Sequence, residues 1–276
     1  MDTGYLASLY GLEDRVAAVT GGAGVLCSAM CQALARAGAR VAVLDIAPQA
    51  AEQVAASIKA AGGQAMAVSC NVLERSTVEA AAEAVTAAWG QIDILINGAG
   101  GNRAQATTSA SQPFFDLPPD AVQWVFNLNF LGTLLASQVF GKLMVKRGEG
   151  AILNISSMNA FRPLTRIPAY SAAKAAVSNF TQWLAVHMAQ EYSPRIRVNA
   201  IAPGFFLTEQ NRFLMTTESG NLTERGRAVL AHTPAGRFGA PDDLLGVMLW
   251  LLSPSASFVT GIVVPVDGGF SAFSGV

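Results

Sequence analysis

Short apolar runs alternate with helix-length segments from one end of this chain to the other, and that order restricts the fold more than any other feature. Apolar runs at 15–20 (RVAAVT), 40–45 (RVAVLD), 65–70, 92–97 (IDILIN), 151–156, 195–201 and 259–266 predict seven strands. Segments 27–38, 48–61, 74–89, 118–147, 169–190 and 241–252 predict helices, with 118–147 forming one or two. The runs are nearly continuous in apolar residues rather than alternating, as strands are when helices cover both faces of a sheet. Repeated β-α-β units with right-handed crossovers then give a doubly wound, seven-stranded parallel sheet in one domain spanning 1–276. Two irregular stretches, 98–117 and 204–240, leave strand carboxyl ends, where open α/β sheets bind ligands. Residues 205–240 are therefore expected to form a substrate lid, the plainer alternative being a solvent-exposed insertion.

Composition removes several function classes. The chain has 276 residues, half of them hydrophobic and 13% charged, with a formal net charge of −1. A large core needs no disulfide or metal to hold it. No basic stripe is available for nucleic acid, and no Lys/Arg run for an anionic membrane. The longest apolar windows lie around 244–252, short of a membrane span, and the first fourteen residues lack the basic start of a signal peptide. Three cysteines (Cys27, Cys31, Cys70) are an odd number without metal-ligand spacing, which points to a reducing cytoplasm and no metal.

Thr20-Gly21-Gly22-Ala23-Gly24 stands directly between the first strand and the first helix. Glycines there permit a tight turn and let backbone N–H groups approach a pyrophosphate at the helix N-terminus, so the arrangement is Rossmann-type. Asp45 ends the second strand, 24 residues after Gly21. A carboxylate there accepts from ribose hydroxyls and repels a 2′-phosphate, favouring NAD over NADP; capping the next helix is the other reading. Tyr170 and Lys174 are four apart on one face of a predicted helix. An ammonium near a phenol favours the phenolate and suits Tyr170 to proton transfer, although such a pair alone is also common on helix surfaces.

The glycine turn, Asn97-Gly98-Ala99-Gly100 and Tyr170-Ser171-Ala172-Ala173-Lys174 together resemble the classical short-chain dehydrogenase/reductase family over about residues 12–270. The resemblance implies a catalytic set of Asn129, Ser157, Tyr170 and Lys174, with Asn129 holding a water that links the lysine to solvent. For NAD it implies contacts from Gly21, Gly24, Val25, Leu26, Asp45, Asn71, Val72, Asn97, Ala99, Gly100, Tyr170, Lys174, Pro203, Gly204 and Thr208. The family pattern places glycines where Val25 and Cys27 stand here, and an asparagine where Gly98 stands. Branched Val25 resists positive φ, so Gly24 is expected to supply the flexibility. Family members form dimers or tetramers through the long helix and its predecessor. This makes apolar Trp183 and Val186, and His187 beside them, candidates for a homodimer or homotetramer contact.

For the substrate, Asn102, Arg103, Asn159, Arg162, Phe206 and Gln210 fall on loops beside the expected reaction centre, with Arg166, Asn211 and Arg212 nearby. Amides hold hydroxyls and arginines bind carboxylates bidentately, so a hydroxylated anionic small molecule fits better than a steroid. SSMNAFRPLTRIPAYSAAKAAVSNFTQWLAVH, NAIAPGFFLTEQNR and HTPAGRFG resemble the D-mannonate oxidoreductase (fructuronate reductase) branch of the family. That branch implies NADH-dependent reduction of D-fructuronate to D-mannonate, with Arg162 on the carboxylate. The alternatives are a reductase of another polyol, gluconate or small ketone, and a non-catalytic NAD(H) sensor supported by the missing glycines. His232 is a possible substrate neighbour, and Cys27 either an oxidation-sensitive thiol at a helix N-terminus or an inert packed residue.

Overall fold

The computed structural model describes residues 3–208, 212, 214–217 and 219–275. Seven parallel strands form one sheet: β1 (Val16–Thr20), β2 (Arg40–Asp45), β3 (Gln64–Ser69), β4 (Ile94–Asn97), β5 (Gly150–Ile155), β6 (Ile196–Pro203) and β7 (Val263–Val266). Their order is β3-β2-β1-β4-β5-β6-β7, which confirms the doubly wound arrangement. Succession reverses between β1 and β4, the switch point where such sheets open a crevice beyond their carboxyl ends.

Alternate side chains of one strand enter different cores. Ala17 and Val19 of β1 pack on α2 (Val25–Arg36), α3 (Pro48–Ala60) and a carboxyl-terminal helix, Leu245–Leu252. Val16 and Ala18 face α4 (Arg75–Trp89), a helix at Gly132–Arg147 and another at Pro168–Glu191. Both faces of the strand are therefore dry, the physical reason its sequence reads as a continuous apolar run. Glycines in the left-handed conformation end α4 at Gly90 and the Gly132–Arg147 helix at Gly148.

Three elements depart from expectation. A short helix, α1 (Thr3–Tyr10), precedes the sheet, and another, Glu224–Ala231, lies within the long stretch after β6. The last strand covers four residues, not the eight of 259–266. Segment 118–147 is one continuous helical run: α5 (Pro119–Phe126), a single π turn over Asn127–Leu131, then α6 (Gly132–Arg147). Pro119–Arg147 is also long and apolar enough to cross a membrane, contrary to the window reading, but half of that window is buried inside the protein, as in a core helix. With α6 placed, the later helices are α7 (Pro168–Glu191), α8 (Glu224–Ala231) and α9 (Leu245–Leu252).

At the amino end of the sheet a buried carboxylate ties β1 to β4. Asp93, 3% exposed, accepts from Val16 N at 2.8 Å and from Gln91, and pairs with Arg15 and Arg147 at 3.1 and 3.2 Å. Removing an acid that neutralises a partly buried cation pair costs far more than losing a surface salt bridge. Asp93→Ala is expected to lower unfolding stability by roughly 3–5 kcal/mol in chemical denaturation; a loss below 1 kcal/mol would show that solvent already screens the cluster.

Candidate active site

The turn after β1 and the segment after β4 meet backbone to backbone. Gly21 adopts φ +64°, and a Cβ on it would come within 2.8 Å of Ala99 N and Cα. The Thr20 hydroxyl accepts from Gly98 N and Ala99 N at 3.1 and 3.3 Å. Gly98 is demanded by space: any Cβ there would overlap the Cys27 Sγ and lie 2.8 Å from Thr20 O. The family's second asparagine is thus absent for the reason its third turn glycine is: the Cys27 sulfur occupies that volume. Two expectations are corrected. Gly24 is an extended helix N-cap (φ −67°, ψ 155°) and supplies no positive φ, while Val25 is the first residue of α2 and needs none. Cys27 is buried, and burial pushes its thiol up to about 12, outweighing the lowering charge of Lys174 and disfavouring a reactive thiolate.

Asp45 stands opposite that turn. One carboxylate oxygen accepts from Ala23 N and the other from Ala47 N, each at 3.0 Å, so it braces the turn and the entry to α3 together. Asn71 uses its amide locally, bonding Glu74 and Leu73 N, and Val72 is buried against Gly132. The Asn97 side chain turns into the core, donating to Ser137 Oγ and Asn154 Oδ1, which leaves its backbone for the crevice. Leu26 packs partly buried against the core, and Pro203 ends β6 paired with Val266. Gly204 lies so close to Asp267 that a Cβ would approach within 2.6 Å. Thr208, partly buried, is bonded within the protein.

Beyond β4 and β5 the four residues of the catalytic pattern come together. The π turn aims Asn129 at Gly101, accepting from its N–H at 3.1 Å and donating to its carbonyl at 2.7 Å; the second amide hydrogen goes to Val125 O. Both amide hydrogens are therefore engaged by protein, and any water held there must donate to an oxygen. Gly100 lies between, where a Cβ would approach Asn129 Oδ1 and Lys174 Nζ at 2.6 and 3.2 Å. Lys174 is 4% exposed, donates to Ile155 O at 2.7 Å, and lies 5.6 Å from the Tyr170 ring centre. Burial lowers its ammonium to about 8. Burial also raises the Tyr170 phenol, against a hydrogen bond with Ser157 that lowers it. The lysine alone, then, does not produce the depressed phenol that its spacing suggests. Asn159, just past Ser157, is buried with its Oδ1 lacking a partner.

The other substrate candidates scatter. Phe206 is 5% exposed, packs against Gly239 and lines a cavity with Phe205 and Asp267. Arg162 is exposed and bonds Ser271 O, Arg103 stacks 3.8 Å over Trp124, and Asn102 bonds Thr107. His232 rests against Phe270 and Phe273. Gln210 and Asn211 lie outside the described residues, among which no His/Cys/Asp/Glu cluster could hold a metal. Sequence reasoning missed Arg225 of α8, whose Nε is buried without a partner; no motif marks it.

A family model described as enoyl-(acyl carrier protein) reductase matches residues 22–271. The chain belongs to the short-chain dehydrogenase/reductase family. It is 51% identical to an uncharacterised Bacillus subtilis oxidoreductase, UxuB, over 96% of this chain and 98% of that protein. A Haemophilus influenza protein provisionally named a D-mannonate oxidoreductase, solved with NAD bound, superposes with a TM-score of 0.92 at 47% identity, covering 98% and 100% of the two chains. A 2-dehydro-3-deoxy-D-gluconate 5-dehydrogenase of Dickeya dadantii is 31% identical over 97% of this chain and 99% of its own length.

Two outcomes test this short-chain dehydrogenase/reductase's site. Burial lowers Lys174 to about 8, whereas unfolding returns it to near 10.5. Between those values the unfolded chain binds more protons, so stability rises with pH across about 8 to 10.5, by roughly 3 kcal/mol from this residue. Lys174→Met should flatten that rise in denaturation compared at pH 7 and pH 10; an identical pH slope in both proteins would refute the burial argument. Gly98→Ala should cost about 1–3 kcal/mol by overpacking. Adding Cys27→Gly should recover part of it, and no recovery would place the clash elsewhere.

Proposed function

We propose that this protein is an NAD(H)-dependent oxidoreductase interconverting a ketone and a secondary alcohol on a sugar acid, D-fructuronate and D-mannonate. The observation that carries the reading is the convergence of Asn129, Lys174 and the Gly100–Gly101 backbone beyond β4 and β5, with Tyr170 one helical turn from the buried Lys174. The likeness to the NAD-bound Haemophilus protein and to a keto-gluconate dehydrogenase supports a sugar acid and this cofactor.

The residues present fit the dinucleotide. No side chain caps α2, so its first N–H groups, from Val25 and Leu26, are free for a pyrophosphate behind Gly21 and Gly24. Each Asp45 oxygen has one backbone partner and keeps a lone pair for a ribose hydroxyl, while its charge disfavours a 2′-phosphate. Asn71, Val72 and the Asn97–Gly100 backbone border the adenosine side; Pro203, Gly204 and Thr208 border the other end. When bound, the nicotinamide supplies the hydride and, oxidised, a positive charge.

Ser157 holds the substrate oxygen, and Tyr170 passes its proton to that oxygen in the reduction direction. The nicotinamide charge and Lys174 together favour the phenolate that remains. Asn129 fixes the Gly101 backbone beside the lysine. Asn159 offers its free Oδ1 to a substrate hydroxyl, and Asn102 and Arg103 border the same mouth. Residues 205–240 act as a lid with a pinned neck, since Phe205 O accepts from Gly239 N at 2.8 Å and Gly268 O from Ala235 N at 3.0 Å. The exposed aromatic row of α7, where Trp183 stacks on His187 at 4.7 Å, suits a homo-oligomer contact. Three buried free cysteines suit a reducing compartment such as the cytoplasm.

The Dickeya relative favours a second reading, a reductase of another keto-gluconate on the same machinery. The sensor reading loses its basis, because Val25 lies in a regular helix and Cys27 is matched by Gly98. NADH oxidation should be fastest with D-fructuronate among D-fructuronate, D-tagaturonate, 5-keto-D-gluconate and a simple ketone. Tyr170→Phe should lower kcat by about 10²–10⁴ while NADH binding persists. Preference for another ketone sinks the substrate assignment, and full activity in Tyr170→Phe sinks the mechanism.

A further inference from the structure

Two arginines, Arg166 and Arg225, lie near enough for their charges to interact. Arg166 lies on the segment joining Ser157 to Tyr170, two residues before α7 begins. Its carbonyl accepts from Thr108 N at 2.8 Å, which ties that segment to the loop after β4. Arg225 stands in the first turn of α8, within the stretch that leaves β6. Thr223 caps that turn, accepting from Gly226 N at 3.0 Å and donating to Leu214 O at 2.7 Å, so the helix start that carries Arg225 is held.

Arg225 Nε is buried without a hydrogen-bond partner. Burial lowers its guanidinium from the ordinary value, and the nearby positive charge of Arg166 lowers it further. Among the described residues neither arginine belongs to an ion pair. Two like charges brought together, one of them partly desolvated, destabilise the protein unless an anion joins them. The arginines nominated by sequence are engaged differently: Arg162 Nε bonds Ser271 O in the open, and Arg103 lies flat on Trp124.

We infer that Arg166 and Arg225 form a two-guanidinium clamp for the substrate's carboxylate, one arm on the Ser157–Tyr170 segment and the other on α8. The inference rests on the sugar-acid reading and moves the carboxylate role from Arg162 to this pair. A guanidinium offers a planar fork of N–H donors that matches a carboxylate, so each arm can bind an oxygen pair or share it. The free Nε of Arg225 is one prong of such a fork.

The test compares D-fructuronate with its uncharged methyl ester, which keeps the ketone and hydroxyls, using NADH oxidation. Arg225→Gln and Arg166→Gln should each raise KM for the acid about ten- to a hundredfold and leave KM for the ester within about twofold; tenfold corresponds to 1.4 kcal/mol. Arg225→Lys, keeping the charge without the fork, should fall between, while Arg162→Gln should change neither substrate. Equal effects on acid and ester, or none, in both glutamine variants overturn the clamp while leaving the sugar-acid reading intact. If the wild-type protein turns over the ester and simple ketones but none of D-fructuronate, D-tagaturonate and 5-keto-D-gluconate, the sugar-acid reading itself fails and the clamp with it.

Discussion

The crest of the sheet depends on how closely the turn after β1 approaches the segment after β4. The approach is backbone on backbone, and the Thr20 hydroxyl joins the two by accepting both Gly98 N and Ala99 N. Such a contact excludes side chains at Gly21 and Gly98, and the Cys27 sulfur fills the remaining space below. The same segment continues through Gly100, which touches the Asn129 amide and the Lys174 ammonium, to Gly101, which Asn129 grips by both N–H and carbonyl. Four consecutive residues thus form a strut between the glycine turn and the buried lysine. Displacement of either end is transmitted to the other, because packed backbone has no side-chain freedom to absorb it.

Beneath the strut lies a row of polar groups inside an otherwise apolar core. Asn97 donates to Asn154 and Ser137, Asn154 donates to Thr181, and Ser137 and Thr181 bond back to their own helices. Buried amides are tolerated only when bonded, so the row links β4, β5, α6 and α7 in one relative setting. Ser156 continues it, donating to the carbonyl of Lys174 and meeting Ser178. The orientation of α7, and hence of Tyr170 and Lys174, is fixed by directional bonds as well as by apolar packing. Apolar contacts alone leave a helix freer to slide on a sheet.

Much of this was legible in the chain, and the failures have physical causes. All seven strands lie where the apolar runs place them, because double-faced burial writes itself into every residue of a strand. The glycine turn and the Tyr170–Lys174 spacing are equally visible, being local. What escaped is what depends on contacts far apart in sequence. Val25 and Cys27 read as damaged positions until Gly98 is seen to complete them. Asn97 carries no sign that its amide points into the core. Phe206 looks like a loop residue at a ligand, yet Gly239, 33 positions later, opens the space that buries it. Arg225 sits in a segment without periodic pattern, so nothing local separates it from a surface arginine.

The charge distribution gives the crevice its direction. Asp45 is bonded to backbone N–H groups beside the glycine turn, Lys174 lies beyond β5, and burial disfavours the charged forms of Lys174 and Arg225. A cation that is desolvated without an acid stores unfavourable free energy in the folded state. An anionic ligand that reaches it recovers that energy as binding, because ligand charge replaces the lost hydration. The same groups that lower stability at neutral pH therefore raise affinity for an anion. A protein built in this way gains stability when its ligands bind, by the logarithm of their concentration over their dissociation constants. Replacing Lys174 or Arg225 with an apolar residue would relieve that desolvation and favour the fold, at the loss of a group able to attract an anion.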